Sequence, residues 1–389
     1  MHTLTRRSLN RATLERQLLL RRSDLPALDV VHHLMGLQAQ DPDPPYIGLW
    51  SRIEGFGLGH LTELLHRRAV VRATLLRGTQ HLVTAEDYLW LRPLLQPMLT
   101  RWQKAAFGRA THGVDPADLA AAAHTLLLQP PAEPPAEPPA QSVTQSVAES
   151  ATRAVAWPVT RSELGRALAE RWPGRDPVAL ARSVQGLLPV LHPPPDGTWG
   201  RRGATPFALA GQWLGKPLAS QPRPQDLVLR YLAAFGPATV KDVQAWSGMT
   251  RLREVVEALR PRLEVFRGED GAELFDLPDA PRPGPDVPAP ARLLAALDNV
   301  VLGHADRTRL MTDEQRPHLI VHAALTVDGF VHGLWAIKRD NKGTARLEIR
   351  LFGPLTGEQE AEVCQEGERL LRLAAADADP HDIRLLPFG

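Results

Sequence analysis

Residues 226–277 read DLVLRYLAAFGPATVKDVQAWSGMTRLREVVEALRPRLEVFRGEDGAELFDL, and the period of their apolar positions changes partway along. From Asp226 to Phe235 the spacing is that of an amphipathic helix, which Gly236-Pro237 stops. Thr239 to Ser247 and Thr250 to Leu259 give two more short helices. Leu263–Arg267 and Glu273–Leu277 then alternate apolar and polar residues about a turn from Gly268 to Gly271, whose Asp-Gly pair is a hairpin signal. Three short helices closed by a hairpin describe a winged helix, the helix-turn-helix variant with a β wing. One occurrence would suit any small α+β module, so repetition decides the reading.

The pattern occurs upstream as well. Near Pro158 to Leu164 a Thr/Ser cap with an acidic residue opens a helix that runs to Arg171, and Asp176-Pro177 opens another through Leu188. A short apolar run (Pro189 to His192), a turn at Pro195-Asp196-Gly197 and a second run ending in Pro206–Leu209 follow. The N-terminal region fits a third, larger copy. Leu9–Leu20, Pro26–Gln38 and Gly59–Arg67 read as helices, and Val70–Leu76 and Thr79–Val83 flank Arg77-Gly78 as a wing. Residues 1–110 carry 15 Lys/Arg against 9 Asp/Glu, and Arg67, Arg68, Arg72 and Arg77 cluster around that wing, which suits phosphate contact.

Two proline-rich stretches divide the chain. Gln129 to Ser150 reads QPPAEPPAEPPAQSVTQSVAES, a composition that cannot build a core and is expected to form a mobile polyproline-type linker. Pro278 to Pro290 precedes a strand-rich C-terminal part: His318–Leu325, Gly329–Ile337 and Arg346–Phe352 as a small antiparallel sheet, with a terminal helix from Glu358 to about Ala374. The basic turn Lys338 to Gly343 makes its hairpin protrude. The expected architecture is therefore α+β, with three tandem winged-helix modules at 1–128, 151–218 and 219–290, a linker at 129–150 and a β-rich element at 291–389.

Composition limits the function classes. The chain has 389 residues, 43% hydrophobic and 23% charged, which is ordinary for globular protein. A net charge of +1 means that any nucleic-acid surface is a local patch. Only five of the 45 basic residues are lysine, a bias that a GC-rich coding sequence explains as well as phosphate binding does. Cys364 stands alone, so neither a disulfide framework nor a Cys-x-x-Cys metal site is expected. The N-terminus has no apolar signal core and no run is long enough to span a membrane, so a cytoplasmic protein is expected.

Familiar catalytic signatures are missing: no Gly-x-x-x-x-Gly-Lys-Ser/Thr loop, no Gly-x-Ser-x-Gly elbow and no His-Glu-x-x-His. What remains is Leu37-Gln38-Ala39-Gln40-Asp41-Pro42, where helix is expected to give way to extended chain. Two glutamines spaced by two could aim into a cleft, but read by itself the segment is better explained as a polar helix end.

Gln38-Ala39-Gln40, the string Arg72-Ala73-Thr74-Leu75-Leu76-Arg77-Gly78-Thr79-Gln80-His81-Leu82, and Leu297-Asp298-Asn299-Val300-Val301-Leu302-Gly303-His304-Ala305-Asp306-Arg307 together resemble the AlkZ/YcaQ family of winged-helix DNA glycosylases. The resemblance implies three tandem winged helices and a C-terminal β element around a C-shaped DNA channel. It implies Gln38 and Gln40 as the catalytic pair, with glutamine rather than aspartate at the second position, as in the branch tied to self-resistance against DNA-alkylating natural products. It also implies excision of N7-alkylated purines and unhooking of interstrand crosslinks, without cofactor or metal, by a nucleoid-associated monomer acting on duplex DNA. Arg72, Arg77, Thr79, His81, Lys338, Arg339, Lys342 and Arg346 are the candidate DNA contacts. Asp298, Asp306 and Arg307 are expected to form a structural ion-pair network. The competing class is a winged-helix regulator or architectural protein with no chemistry.

Overall fold

A computed structural model describes residues 2–129, 158–340 and 343–388. Among them, fourteen α-helices accompany three three-stranded sheets and one five-stranded sheet, a mixed α+β fold. The proline-rich stretch expected to be a linker, apart from Gln129, lies outside the described residues, as does Lys342.

Residues 226–277 follow the expected order: helices Pro224–Phe235, Val240–Ser247 and Arg253–Leu259, then the hairpin Glu264–Gly268 with Glu273–Asp276. The first helix buries Leu227, Val228, Tyr231, Leu232 and Phe235. Tyr231 stacks on Phe235 at 5.0 Å between ring centroids, and Trp246 of the next helix closes on both. Thr239 caps that second helix reciprocally: its hydroxyl accepts the Asp242 N–H, and the Asp242 carboxylate accepts the Thr239 N–H at 2.8 Å.

The hairpin has a third strand that composition did not reveal. Thr3–Leu4 pairs parallel to it at Arg267 and Gly268. The adjoining helix, Arg6–Arg16, stops four residues before the expected Leu20 and packs on the 224–235 helix. Its polar side chains reach distant partners. Arg16 makes a buried two-point ion pair with Asp276 at 2.6 and 2.8 Å, Arg7 bonds Asp328, and Asn10 donates to the Arg309 and Gly329 carbonyls. The stretch 278–290 runs along this helix, its Pro281, Pro285 and Val287 carbonyls accepting from Arg16, Arg7 and Arg11.

Ala85–Phe107 forms a 23-residue helix that the sequence hides, because Pro93 and Pro97 lie inside it. Pro93 cannot donate to the Leu89 carbonyl, and the Ala219 N–H takes that acceptor at 2.9 Å instead. The C-terminal sheet is mixed rather than purely antiparallel: its edge strand His381–Pro387 runs parallel to Ala345–Leu351. The parallel return is made by the helix Gly357–Ala374, which covers the sheet with Val363, Leu370 and Leu371. His318 to Ile320 belong to a short 3₁₀ turn, and the strand begins only at Ala323.

Candidate active site

The segment expected to carry Gln38 on a helix does not do so. The helix Ala27–His33 ends early because Met35 and Gly36 take positive φ of 56° and 92°. At Gly36 a Cβ would lie 2.5 Å from the Val83 side chain and 2.6 Å from the Leu82 carbonyl, so only glycine lets the chain turn this close to the neighbouring strand. Leu37–Gln38 then pairs antiparallel to Gln80–Thr84, itself paired to Val70–Thr74. Extended alternation sends Leu37 and Ala39 into the core and leaves Gln38 half-buried and Gln40 exposed on the other side.

Gln38 sits directly across the ladder from His81. Its Oε1 accepts from Arg77 Nη2 at 2.7 Å. Arginine only donates, so the amide is oriented with its NH2 group away from Arg77; that nitrogen has no hydrogen-bond partner among the described residues. Arg77 lies in the turn Leu76–Gly78 and also donates to the Trp246 carbonyl of the 240–247 helix. Gly78 permits the turn, since a Cβ there would overlap Trp102 at 2.4 Å. Burial, aided by the charge of Arg307, pulls Arg77 down to about 10.

Arg72, expected to face phosphate, is instead buried. Its Nε donates to the Ala39 carbonyl at 2.9 Å, one Nη to the Gln40 carbonyl at 3.1 Å, and the other pairs with Asp196. Its guanidinium therefore fixes the backbone that carries both glutamines. Gln40 Oε1 accepts a long bond, 3.3 Å, from the Gln80 N–H. Beside it opens a cavity of about 350 Å³, lined among others by Trp102, Phe107, Arg161, Arg182 and Gln185.

His81 is buried, and burial reinforced by Arg77 holds its pKa down to about 3. The ring is neutral at physiological pH. Its Nδ1–H donates to the Thr79 carbonyl at 3.0 Å, which leaves Nε2 as an acceptor. Thr79 closes the turn by donating its hydroxyl to the Leu76 carbonyl.

The C-terminal hairpin shares a hydrophobic core with this sheet, but its basic side chains bind elsewhere. Lys338 pairs with Glu348 at 2.8 Å, Arg339 with Asp377 at 2.7 Å, and Arg346 with Asp382 at 2.8 Å. No hydrogen bond or ion pair among the described residues joins it to the glutamine sheet.

The expected network of Asp298, Asp306 and Arg307 is not formed. Asp298 instead binds Arg52 at two points, 2.6 and 2.8 Å, while capping the short helix Asn299–Leu302. Asn299 donates to the Gly36 carbonyl at 2.6 Å, so this motif braces the turn that launches the glutamine strand. Arg52, Trp246 and Asp196 support the site too, and no local pattern marked them. Among the described residues no group of His, Cys, Asp and Glu could hold a metal ion, and no helix is long and apolar enough to cross a membrane.

The site is thus a pair of amide side chains set by arginines on a small sheet, in a chain whose family can be stated. The model of the AlkZ-like DNA glycosylases matches residues 31–373, and the chain belongs to that family. In fold it is similar to the Streptomyces sahachiroi DNA glycosylase AlkZ, with a TM-score of 0.74 at 19% identity over 99% of this chain and 100% of that one. No curated protein matches the chain in sequence.

Proposed function

We propose that the protein is a monofunctional DNA glycosylase that hydrolyses the N-glycosidic bond of N7-alkylated purines, with Gln38 and Gln40 as its catalytic pair. The observation that carries this reading is the fixed Gln38 amide, whose acceptor end is occupied by Arg77 and whose donor end is unpartnered beside exposed Gln40.

A water held by the Gln38 NH2 group keeps a lone pair for attack on the anomeric carbon. The Gln40 side-chain carbonyl, only weakly engaged, accepts a hydrogen bond from that water or faces the positive charge that grows on the sugar; as the C–O bond forms the purine leaves neutral with the glycosidic electron pair, and the water's proton passes to solvent. Neither amide is a useful base at neutral pH, so the leaving group must already be activated. An N7-alkylated purine is cationic before it departs, and positioning suffices for it. His81, neutral with its Nε2 lone pair, is assigned as an accessory acceptor across the ladder from Gln38.

Three winged helices, 1–128, 151–218 and 219–290, with the C-terminal element would form a C-shaped channel over duplex DNA, bound by a cytoplasmic, nucleoid-associated monomer. Gln40 in place of aspartate supports the narrower assignment to crosslink unhooking and self-resistance to a DNA-alkylating natural product.

The test is incubation with N7-methylguanine duplex followed by alkali, which cleaves at abasic sites. Wild type should yield strand breaks at the lesion. Gln38→Ala and Gln40→Ala should each lower the single-turnover rate on the order of a hundredfold or more, with DNA affinity nearly constant. Rates near wild type for both variants would remove the pair from the chemistry.

A further inference from the structure

The cavity beside Gln40 is walled by several parts of the fold. Gln40 reaches it from the sheet side, Trp102 and Phe107 from the 85–107 helix, and Arg161, Arg182 and Gln185 from the helices Arg161–Arg171 and Pro177–Leu187. Gln185 is its fixed point. It is 6% exposed, and its Oε1 accepts from the Thr74 hydroxyl at 2.6 Å and from Gln80 Nε2 at 2.8 Å. Both lone pairs of that oxygen are filled from the sheet, which orients the NH2 group the other way. That nitrogen has no partner among the described residues and keeps access to the cavity. A buried donor of this kind calls for an acceptor.

The charges around it have the same sense. Arg182 precedes Gln185 by one helical turn, so the two share a face. Arg161 opens the helix packed against theirs. Neither guanidinium makes a hydrogen bond or ion pair among the described residues, and no carboxylate lines the cavity. Asp196, whose charge reaches Arg161, is already bonded to Arg72. Partial burial, and after it the charge of Arg182, lowers the Arg161 pKa. The cavity therefore offers donors from three side chains and carries uncompensated positive charge. A cationic purine is the wrong guest for it, and an acceptor-rich anion the right one.

We propose that this cavity is a phosphate pocket in which Arg161, Arg182 and the Gln185 amide hold one backbone phosphodiester of the lesion strand, adjoining the nucleotide that Gln40 faces. Reading the anion as a DNA phosphodiester rests on the glycosylase reading above. The cavity, about 350 Å³, is larger than a phosphate alone fills. Its edge-to-face pair Trp102 and Phe107, 5.4 Å between centroids, gives the attached deoxyribose an apolar wall. Two guanidinium forks and an amide fix a phosphate by direction as well as by charge. The neighbouring sugar is then held against the glutamine pair, while the alkylated purine, itself positive, is turned away from the arginines. On this assignment Arg161 and Arg182 are positioning residues.

The experiment uses the full chain, a double variant with Arg161→Gln and Arg182→Gln, and a second with Arg161→Lys and Arg182→Lys. Duplexes carry 2′-fluoro-N7-methylguanine, which resists excision, and one neutral methylphosphonate stepped along the lesion strand. Wild type should lose about tenfold in affinity at one linkage beside the lesion. The glutamine variant should bind the all-phosphate duplex about tenfold less well, lose nothing further at that linkage, and show a salt slope flatter by about one logarithmic unit. The lysine variant should keep the positional loss in weaker form. On undamaged duplex, which fixes no register, no single linkage should stand out. Melting of the glutamine variant should match wild type, because neither arginine abandons a partner. A wild type with no distinctive linkage overturns the proposal. So does a glutamine variant that responds to every methylphosphonate as wild type does, or that melts well below it. Binding is read without excision, so a wild type that shows the coupling yet cleaves no lesion defeats the glycosylase reading and leaves the phosphate pocket standing.

Discussion

Two basic hairpins, 70–84 and 330–351, look alike in sequence and behave differently in the fold. In the first, Arg72 and Arg77 turn inward, spend their donors on carbonyls, an amide and, for Arg72, the buried Asp196, and set two glutamines in place. In the second, Lys338, Arg339 and Arg346 stay at the surface, each matched to a carboxylate. Basic composition is the same signal in both. What separates them is cover: the first is overlain by the 85–107 helix and by residues 190–198, including Asp196, while the second has a helix on one face and water on its rim. A cation under cover must find a partner or be neutralised, whereas one at the rim contributes little either way.

That contrast can be broken most sharply at Arg72. Arg72→Met removes one member of a buried pair, leaves Asp196 uncompensated and frees the Ala39 and Gln40 carbonyls, so stability should fall by about 3–5 kcal/mol. Denaturant unfolding measures it. Adding Asp196→Leu should restore much of the loss without restoring excision, because the glutamine strand stays unanchored. Full activity in the double variant would show that Arg72 does no positioning.

The next effect is set by pH. His81 is held to about 3, against an ordinary value near 6.5, and buried His192 and His304 likewise. Below pH 6.5 the unfolded chain takes up protons that the folded chain refuses, so stability present above that pH is lost as pH falls toward 3. At pH 5 His81 alone should account for about 2 kcal/mol. Melting temperature should drop steadily from pH 7 to 5, and His81→Phe, if it folds, should flatten the curve. An unchanged melting temperature over that range would mean that these rings titrate in the folded state.

The smallest effect belongs to the second hairpin. Alanine at Lys338, Arg339 and Lys342 should reduce the salt slope of DNA binding by no more than about one unit per lost phosphate contact, with no preference among sequences. It should slow crosslink unhooking more than excision of a monoadduct if the hairpin holds strands apart. An identical slope and both rates intact would leave its cations as partners of Glu348 and Asp377 only.

Much of this was legible beforehand, for identifiable reasons. The 226–277 helices and hairpin announce themselves because capping, period and turn chemistry agree there. Gln38 and Gln40 could be singled out by motif, yet the placement of Gln38 on a strand with Gln40 just past its end could not, because Met35 and Gly36 end the helix through backbone geometry that apolar spacing does not register. The 85–107 helix was hidden by two prolines, and the Leu89 carbonyl that Pro93 orphans is met by Ala219, 130 residues further along the chain. Arg72 looked like a phosphate ligand because charge is visible in sequence and burial is not. Asp298 and Arg307 sit in one motif and do different things, one neutralised by Arg52 and one paired with no carboxylate among the described residues.

The strand Thr3–Leu4 and the helix behind it impose an order of events on synthesis. They leave the ribosome long before Arg267, Asp276, Arg309 and Asp328 that receive them. Asp276 follows Arg16 by 260 positions, a wait on the order of tens of seconds at ordinary elongation rates. Until then the amphipathic N-terminus has no surface to close on and its arginines remain in water. This segment thus acts as a late fastener of the fold, and a nascent protein cut short anywhere before Arg267 carries that fastener open.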